Sequence, residues 1–305
     1  MRNTFSDTVY EAGKNDKRVA IVVADISPAG SMQKFRDEFP ERFINTGVSE
    51  QIMIGLCAGM ALRGMRPFAY TIATFTFYRP FEFVRDDLCY QNLPVTVVGL
   101  GGGVAYSTLG GTHHAQEDVV LASALPNMTV IAPCDPAECR EATVWCTTQE
   151  HGPVYLRLGK AGEPDLTSRA ADPFTFGRIR YLRRGEDVCI LSYGPITKLA
   201  ADLAAKFEAR GDSVSLVSVH TLKPLDTEGI ADALRRHRHV IVVEEAAPYA
   251  LGLRVKALAW DTQARCRVDT FSLKDEFIHV YGNPSELLAA HGLDLSIIAK
   301  KLGLQ

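Results

Sequence analysis

The stretch FINTGVSEQIMIGLCAGMALRG, Phe43 to Gly64, decides how the rest of the chain is read. An Asn45-Thr46-Gly47 turn leads to Ser49 in an N-cap position and Glu50 in the first helical turn. Ile52, Met53, Leu56, Met60 and Ala61 then follow at helical spacing. Charge is absent from there until Arg63, and Gly55, Ala58 and Gly59 thin one side, so a close neighbour is expected. The pattern sets one acid at the mouth of an apolar helix. Glu50 either complements the helix dipole or stands at a buried junction where a carboxylate does chemistry; the helix alone leaves both open.

Outward from that helix, strands and helices alternate. Upstream, residues 2–14 read as a helix and Arg18 to Asp25 as a strand covered on both faces, because the Val/Ile/Ala run is unbroken. The strand ends in Asp25 and a loop over residues 26–31, the place where open α/β sheets bind ligands, although Asp25 serves equally well as a loop cap. Downstream, Pro67 to Ile72 is a strand. Residues 73–81 read as a loop crowded with aromatic side chains, followed by a helix from about Glu82 to Tyr90. Phe75, Phe77, Tyr78, Phe81 and Phe83 form either a core plug or a platform for a flat ligand. Val95 to Leu100 enters Gly101-Gly102-Gly103, a long loop, the pair His113-His114 and a helix from about Ala115. These glycines fit neither G-x-G-x-x-G opening a helix nor a G-K-[ST] loop, so they mark a close backbone approach. Strands at 129–132 and 152–158 flank a helix that begins after Asp135-Pro136.

The pattern loosens around residues 173–185, and a fresh series of strands follows at 188–193, 214–219 and 240–244 with helices between them. The expected architecture is α/β, with two consecutive domains, residues 1–177 and 178–305. Each should carry a mainly parallel sheet flanked by helices.

Composition sets outer limits. A chain of 305 residues, 47% hydrophobic and 23% charged, has material for about two globular domains. A net charge of −3 without a long basic run gives no footprint for nucleic acid or an anionic membrane, so neither partner is expected. The N-terminus is polar and amphipathic, and no 18-residue apolar run occurs, which leads to the expectation of a cytoplasmic chain. Seven cysteines, mostly in apolar segments, suit reduced core thiols. Cys134, Cys139 and Cys146 lack zinc-ligand spacing, so no metal is expected on this chain.

Taken in order, several short motifs resemble the transketolase-type thiamine diphosphate enzymes, in their pyrimidine-binding domain followed by their C-terminal domain. They are Gly47-Val48-Ser49-Glu50, Tyr70-Thr71 running into Phe75 and Phe81, Gly111-Thr112-His113 followed by Glu117, and Leu125-Pro126-Asn127-Met128. Pro133-Cys134-Asp135-Pro136-Ala137-Glu138 and Phe277-Ile278-His279-Val280-Tyr281-Gly282 complete the set. The resemblance covers essentially the whole chain. It implies that Glu50 binds N1′ of the cofactor's aminopyrimidine, a task that needs a carboxyl group stripped of water. It further implies an aromatic wall of Phe75, Tyr78 and Phe81 beside that ring, Asp25 among the cofactor contacts, and His113 facing the reacting carbons. His114 reads as a bystander.

Members of this family also carry a diphosphate-binding domain with a Gly-Asp-Gly motif that holds Mg²⁺. The motif is missing here, and Gly211-Asp212-Ser213 lies in a helix-to-strand turn of the wrong domain. The resemblance therefore implies the second half of a split transketolase. Thiamine diphosphate would lie between it and an N-terminal subunit that holds the Mg²⁺, in an α2β2 assembly acting on small sugars. Where ordinary transketolases read a donor hydroxyl with an aspartate, this sequence has Leu109; a further histidine falls on Gly101, and the phosphate-binding arginine near Lys160. Lys160 can attract a phosphate as a point charge, without bidentate geometry, or lie solvated in its loop. These departures point to ketol transfer on a modified sugar. The alternatives are the β subunit of a 2-oxoacid dehydrogenase E1 component, which usually differs at Gly111-Thr112-His113-His114, and a non-catalytic scaffold subunit that has kept the fold.

Overall fold

In the computed structural model, which describes residues 1–28, 30–150 and 152–304, the apolar runs become the strands of two sheets. Ala29, which falls in the stretch 26–31 expected as a loop, lies outside the described residues, as do His151 and Gln305. The first half contributes β1 (Val19–Val23), β2 (Phe43–Asn45), β3 (Arg66–Ile72), β4 (Thr96–Leu100), β5 (Thr129–Ile131) and β6 (Val154–Leu158). The second contributes β7 (Arg180–Arg183), β8 (Val188–Ser192), β9 (Val214–Ser218), β10 (Thr221–Lys223), β11 (His239–Val243) and β12 (Arg267–Phe271). The first sheet runs β10-β5-β6-β4-β3-β1-β2 and the second β12-β11-β8-β9-β7. Strands β1, β4, β6, β8, β9 and β11 are buried at every position, because helices cover both faces; that coverage explains why their sequences do not alternate.

Each sheet is mainly parallel, with one antiparallel edge. β7 runs antiparallel to β9, and β10, from the second half, runs antiparallel to β5 of the first. The halves thus share a sheet edge. Their core is also shared: one apolar cluster runs from Met53, Phe77 and Tyr155 to Tyr193, Leu222 and Val255. Each large side chain buried there contributes roughly 1.5–3 kcal/mol, so the two sheets hold each other in place.

Two local expectations are corrected. Residues 73–81 are mostly helical rather than loop: Ala73–Phe77 forms a short helix, Phe81–Phe83 another turn, and Val84–Tyr90 a wider π-helical turn. The Thr76 hydroxyl fixes the first of these by donating to the Ile72 carbonyl at 2.9 Å and the Val98 carbonyl at 3.2 Å. The helix expected from Ala115 begins at Asp118 instead, because Gly111–His113 closes a 3-10 turn and His114 is extended. Ser49 occupies the N-cap position of the Glu50–Leu62 helix, but its hydroxyl makes no capping bond. All seven cysteines are free, six of them buried.

Candidate active site

Glu50, the first residue of its helix, is buried at 4% exposure. It is not alone in an apolar mouth. Arg79, from the segment after the short helix, donates from Nη1 to Glu50 Oε1 at 2.9 Å. The Arg79 side chain is 46% exposed, so water screens the pair and it contributes at most about 1 kcal/mol. The guanidinium also lies 4.2 Å from the centre of the Phe75 ring.

From Phe75 the contacts continue through a series of rings. His113 meets Phe75 edge-on with ring centres 5.0 Å apart, and Tyr106 lies 6.4 Å from His113. Lys160 Nζ sits 4.5 Å over the Tyr106 ring. Glu50, Phe75, His113 and Lys160, far apart in sequence, are therefore joined through Arg79 and Tyr106 into one run of contacts, the wall of the candidate site. Gly101 explains its shape: its φ is +68°, and a Cβ there would come within 2.4 Å of the Tyr106 ring. Tyr106 fills the space that a side chain at position 101 would take. Lys160 also lines a cleft of about 600 Å³ together with Thr108, Glu245 and Asn283. Leu109 is half exposed.

The other expected residues lie off this wall. Tyr78 is the C-cap residue of the Ala73–Phe77 helix, and its hydroxyl donates to Glu117 Oε2 at 2.8 Å and accepts from the Glu117 amide at 3.0 Å. Phe81 leans edge-on against the buried Phe77, ring centres 5.7 Å apart, and is half-buried. Asp25 is exposed with φ of +44°; its amide donates to Asn45 Oδ1 at 3.2 Å, the atom that also accepts from Gly47 at 2.9 Å. That shared acceptor ties the end of β1 to the turn that launches the Glu50 helix.

Beside the wall is a cavity of about 340 Å³ lined by Thr74, Tyr78, Gly111, His114, Glu117 and Phe277 among others. The buried hydroxyl of Thr74 and both ring nitrogens of His114 find no hydrogen-bond partner of normal geometry among the described residues. Burial holds His114 below the usual histidine range; the charge of His113 adds to this, and the nearby Ser107 backbone opposes it. Burial, then the charge of Arg79, likewise lowers His113, so its imidazole is neutral at pH 7. Burial drives the Tyr78 phenol far above its ordinary value, with the carboxylates of Asp118 and Glu117 adding to it, so it stays protonated.

Sequence reasoning missed the buried root beneath this surface. Arg157, 2% exposed on β6, donates from Nε to Asp118 Oδ2 at 2.8 Å, and Tyr155 donates its hydroxyl to the same oxygen at 2.7 Å. Arg157 Nη2 reaches the Ala115 carbonyl at 3.3 Å and the Glu245 carbonyl at 2.9 Å. A signal was present: an arginine inside an apolar strand demands a partner. Arg79 gave none, since an arginine in an aromatic segment reads as a solvated charge.

The chain belongs to the transketolase family. Residues 1–162 match the transketolase pyrimidine-binding domain and residues 177–298 the transketolase C-terminal domain. It is 31% identical to an apulose-4-phosphate transketolase subunit from Phocaeicola vulgatus over 98% of this chain and 95% of that one. It is 34% identical to the 6-deoxy-6-sulfo-D-fructose transketolase subunit SqwH of a Clostridium species over 81% of this chain and 76% of that one. A solved structure described as a split gene transketolase, inactive beta4 tetramer, superposes with a TM-score of 0.86 at 31% identity, covering 99% of this chain and 98% of that one. These relatives favour a transferase of the transketolase type, dependent on thiamine diphosphate, over an E1 β subunit or a scaffold. Among the described residues no group of His, Cys, Asp and Glu is arranged to hold a metal, and no helix is long and apolar enough to cross a membrane.

Proposed function

We propose that this chain is the pyrimidine-binding subunit of a split transketolase that moves a two-carbon ketol unit between a ketose and an aldehyde. The observation that carries the reading is the wall itself: a buried carboxylate, an aromatic edge, a neutral imidazole and a lysine over a phenol ring in contact, in a chain whose relatives of matching length are named as transketolase subunits. The cofactor fits. A nitrogen-rich heterocycle would suit the unpartnered Thr74 hydroxyl and His114 nitrogens in the cavity beside Tyr78.

When bound, thiamine diphosphate would supply a nucleophilic carbon and an electron sink for the electron pair released as the ketose carbon–carbon bond breaks. Glu50 would hold a proton at a ring nitrogen, releasing Arg79 to solvent, which its exposure permits. Phe75 and Tyr78 would limit water around the ring, while Phe81 supports them through Phe77. Asp25 would act at the entry turn. His113, neutral and half-buried, can donate to or accept from a sugar oxygen as bonds form. Lys160 would attract an anionic terminus on the sugar, consistent with the phosphate and sulfonate in the relatives' names. Leu109 cannot accept a donor hydroxyl, which disfavours an ordinary pentulose. The diphosphate and Mg²⁺ would be held by an N-terminal subunit in an α2β2 assembly in the cytoplasm, with the domain limit of this chain at residues 177 and 178.

The test is an acceptor assay on this chain mixed with its partner subunit. Ketol transfer to an aldose supports the reading; acyl transfer to lipoyl-lysine would replace it with an E1 component, and inactivity towards every acceptor would favour a scaffold.

A further inference from the structure

We infer that Glu245, contributed by the C-terminal half, is a positioning residue for the loop that carries His113. The inference rests on the assignment of His113 to the substrate cleft. That loop leaves the sheet at Gly103 and returns at Ala115, and the two ends pair: Gly103 donates to the Ala115 carbonyl at 2.9 Å and Ala115 to the Gly103 carbonyl at 2.8 Å. Glu245 Oε1 accepts from the Val104 amide at 2.8 Å, one residue inside the root. Gly103 has φ of +66°, and a Cβ there would lie 2.1 Å from that same oxygen, so the loop backbone presses directly onto the carboxylate.

The other arm of the root is held from the same place. Arg157 donates to both the Ala115 and Glu245 carbonyls, and the Ala247 amide donates to the Gln116 carbonyl at 2.7 Å. At the tip, the Tyr281 ring closes on Gly110, where a Cβ would come within 2.9 Å of it. Residues of the second half therefore grip the loop at root and tip. A carboxylate in this spot is expensive: Glu245 is 8% exposed, and burial raises its affinity for protons, with Arg157 opposing the shift. Holding two domains together requires only apolar packing, which this boundary already has in abundance. A buried acceptor aimed at one loop amide does something packing cannot: it fixes the direction in which the loop leaves the sheet, and with it where Tyr106 and His113 stand.

The experiment compares Glu245→Ala, Glu245→Asp and Glu245→Gln in the full chain. Amide hydrogen exchange is read by mass spectrometry on the chain alone; kcat, KM and cofactor affinity are read in the mixture with the N-terminal subunit. Glu245→Ala and the shortened Glu245→Asp should raise exchange in residues 103–115 about tenfold, leave β8 and β11 protected, and lower kcat about tenfold with cofactor affinity unchanged. Glu245→Gln keeps the acceptor oxygen and should restore both readouts to within about threefold of the parent chain. Exchange that stays at the parent level, or rises equally throughout both sheets, overturns the inference. An inactive parent mixture would sink the functional reading, while the exchange data still decide the role of Glu245.

Discussion

The wall and its root are built from the same kinds of residue and behave as opposites. At the wall, Arg79 meets Glu50 with a side chain 46% exposed, and Lys160 lies over Tyr106 from an exposed loop; each contact is worth about 1 kcal/mol or less and exchanges readily with water. At the root, Asp118 and Arg157 are 0% and 2% exposed, and each makes more than one hydrogen bond. Charge here serves two ends. On the proposed function, exposed pairs would leave the cleft free to accept a ligand, while the buried ones fix the frame beneath it.

The sharpest way to break the comparison is at the root. Asp118→Ala strands the Arg157 guanidinium in a dry interior and should cost about 3–5 kcal/mol in urea unfolding. A loss under about 1 kcal/mol would show that water reaches Arg157 and that the root is no frame. At the wall the pattern reverses. Glu50→Gln should leave the unfolding midpoint unchanged while ketol transfer in the two-chain mixture falls about 10²–10⁴-fold, the range expected when a positioned proton-holding group is removed. Lys160→Met comes next, with KM for a phosphorylated or sulfonated ketose rising about tenfold, or 1.4 kcal/mol, and KM for its uncharged counterpart unmoved. An equal rise for both would return Lys160 to the role of a solvated loop lysine.

The smallest effect is a shift in pH dependence. Burial and the Arg79 charge both disfavour the imidazolium of His113, so it takes up a proton only below the ordinary value of 6.5. Activity that needs the neutral ring is therefore retained at mildly acid pH and lost as pH falls through the lowered value. Arg79→Gln removes one of the two causes, so the acid limb of kcat/KM should move to higher pH. A limb that stays fixed would mean that Arg79 does not act on His113.

Much of the fold was legible because parallel strands covered on both faces leave unmistakable apolar runs, as at Val19–Val23 and His239–Val243. The edge strand β10 was not, since Thr221–Lys223 is three residues long and is a strand only because β5 lies beside it. At the candidate site, Glu50, Phe75 and His113 could be singled out because each stands in a motif with its own spacing, and the structure links them through Arg79 and a ring contact. Tyr106 could not: its role follows from the empty Cβ position at Gly101, a relation between two residues that no local pattern records. The same holds for Glu245, which in sequence is only an acid after a strand and acquires meaning from a loop 141 residues earlier.

Calorimetric titration of thiamine diphosphate with Mg²⁺, into this chain alone and into its mixture with the N-terminal subunit, tests the central claim most directly. A split site should bind the cofactor in the mixture alone, and Glu50→Ala should sharply weaken that binding. Tight binding to the isolated chain, or binding in the mixture that ignores Glu50→Ala, would contradict it.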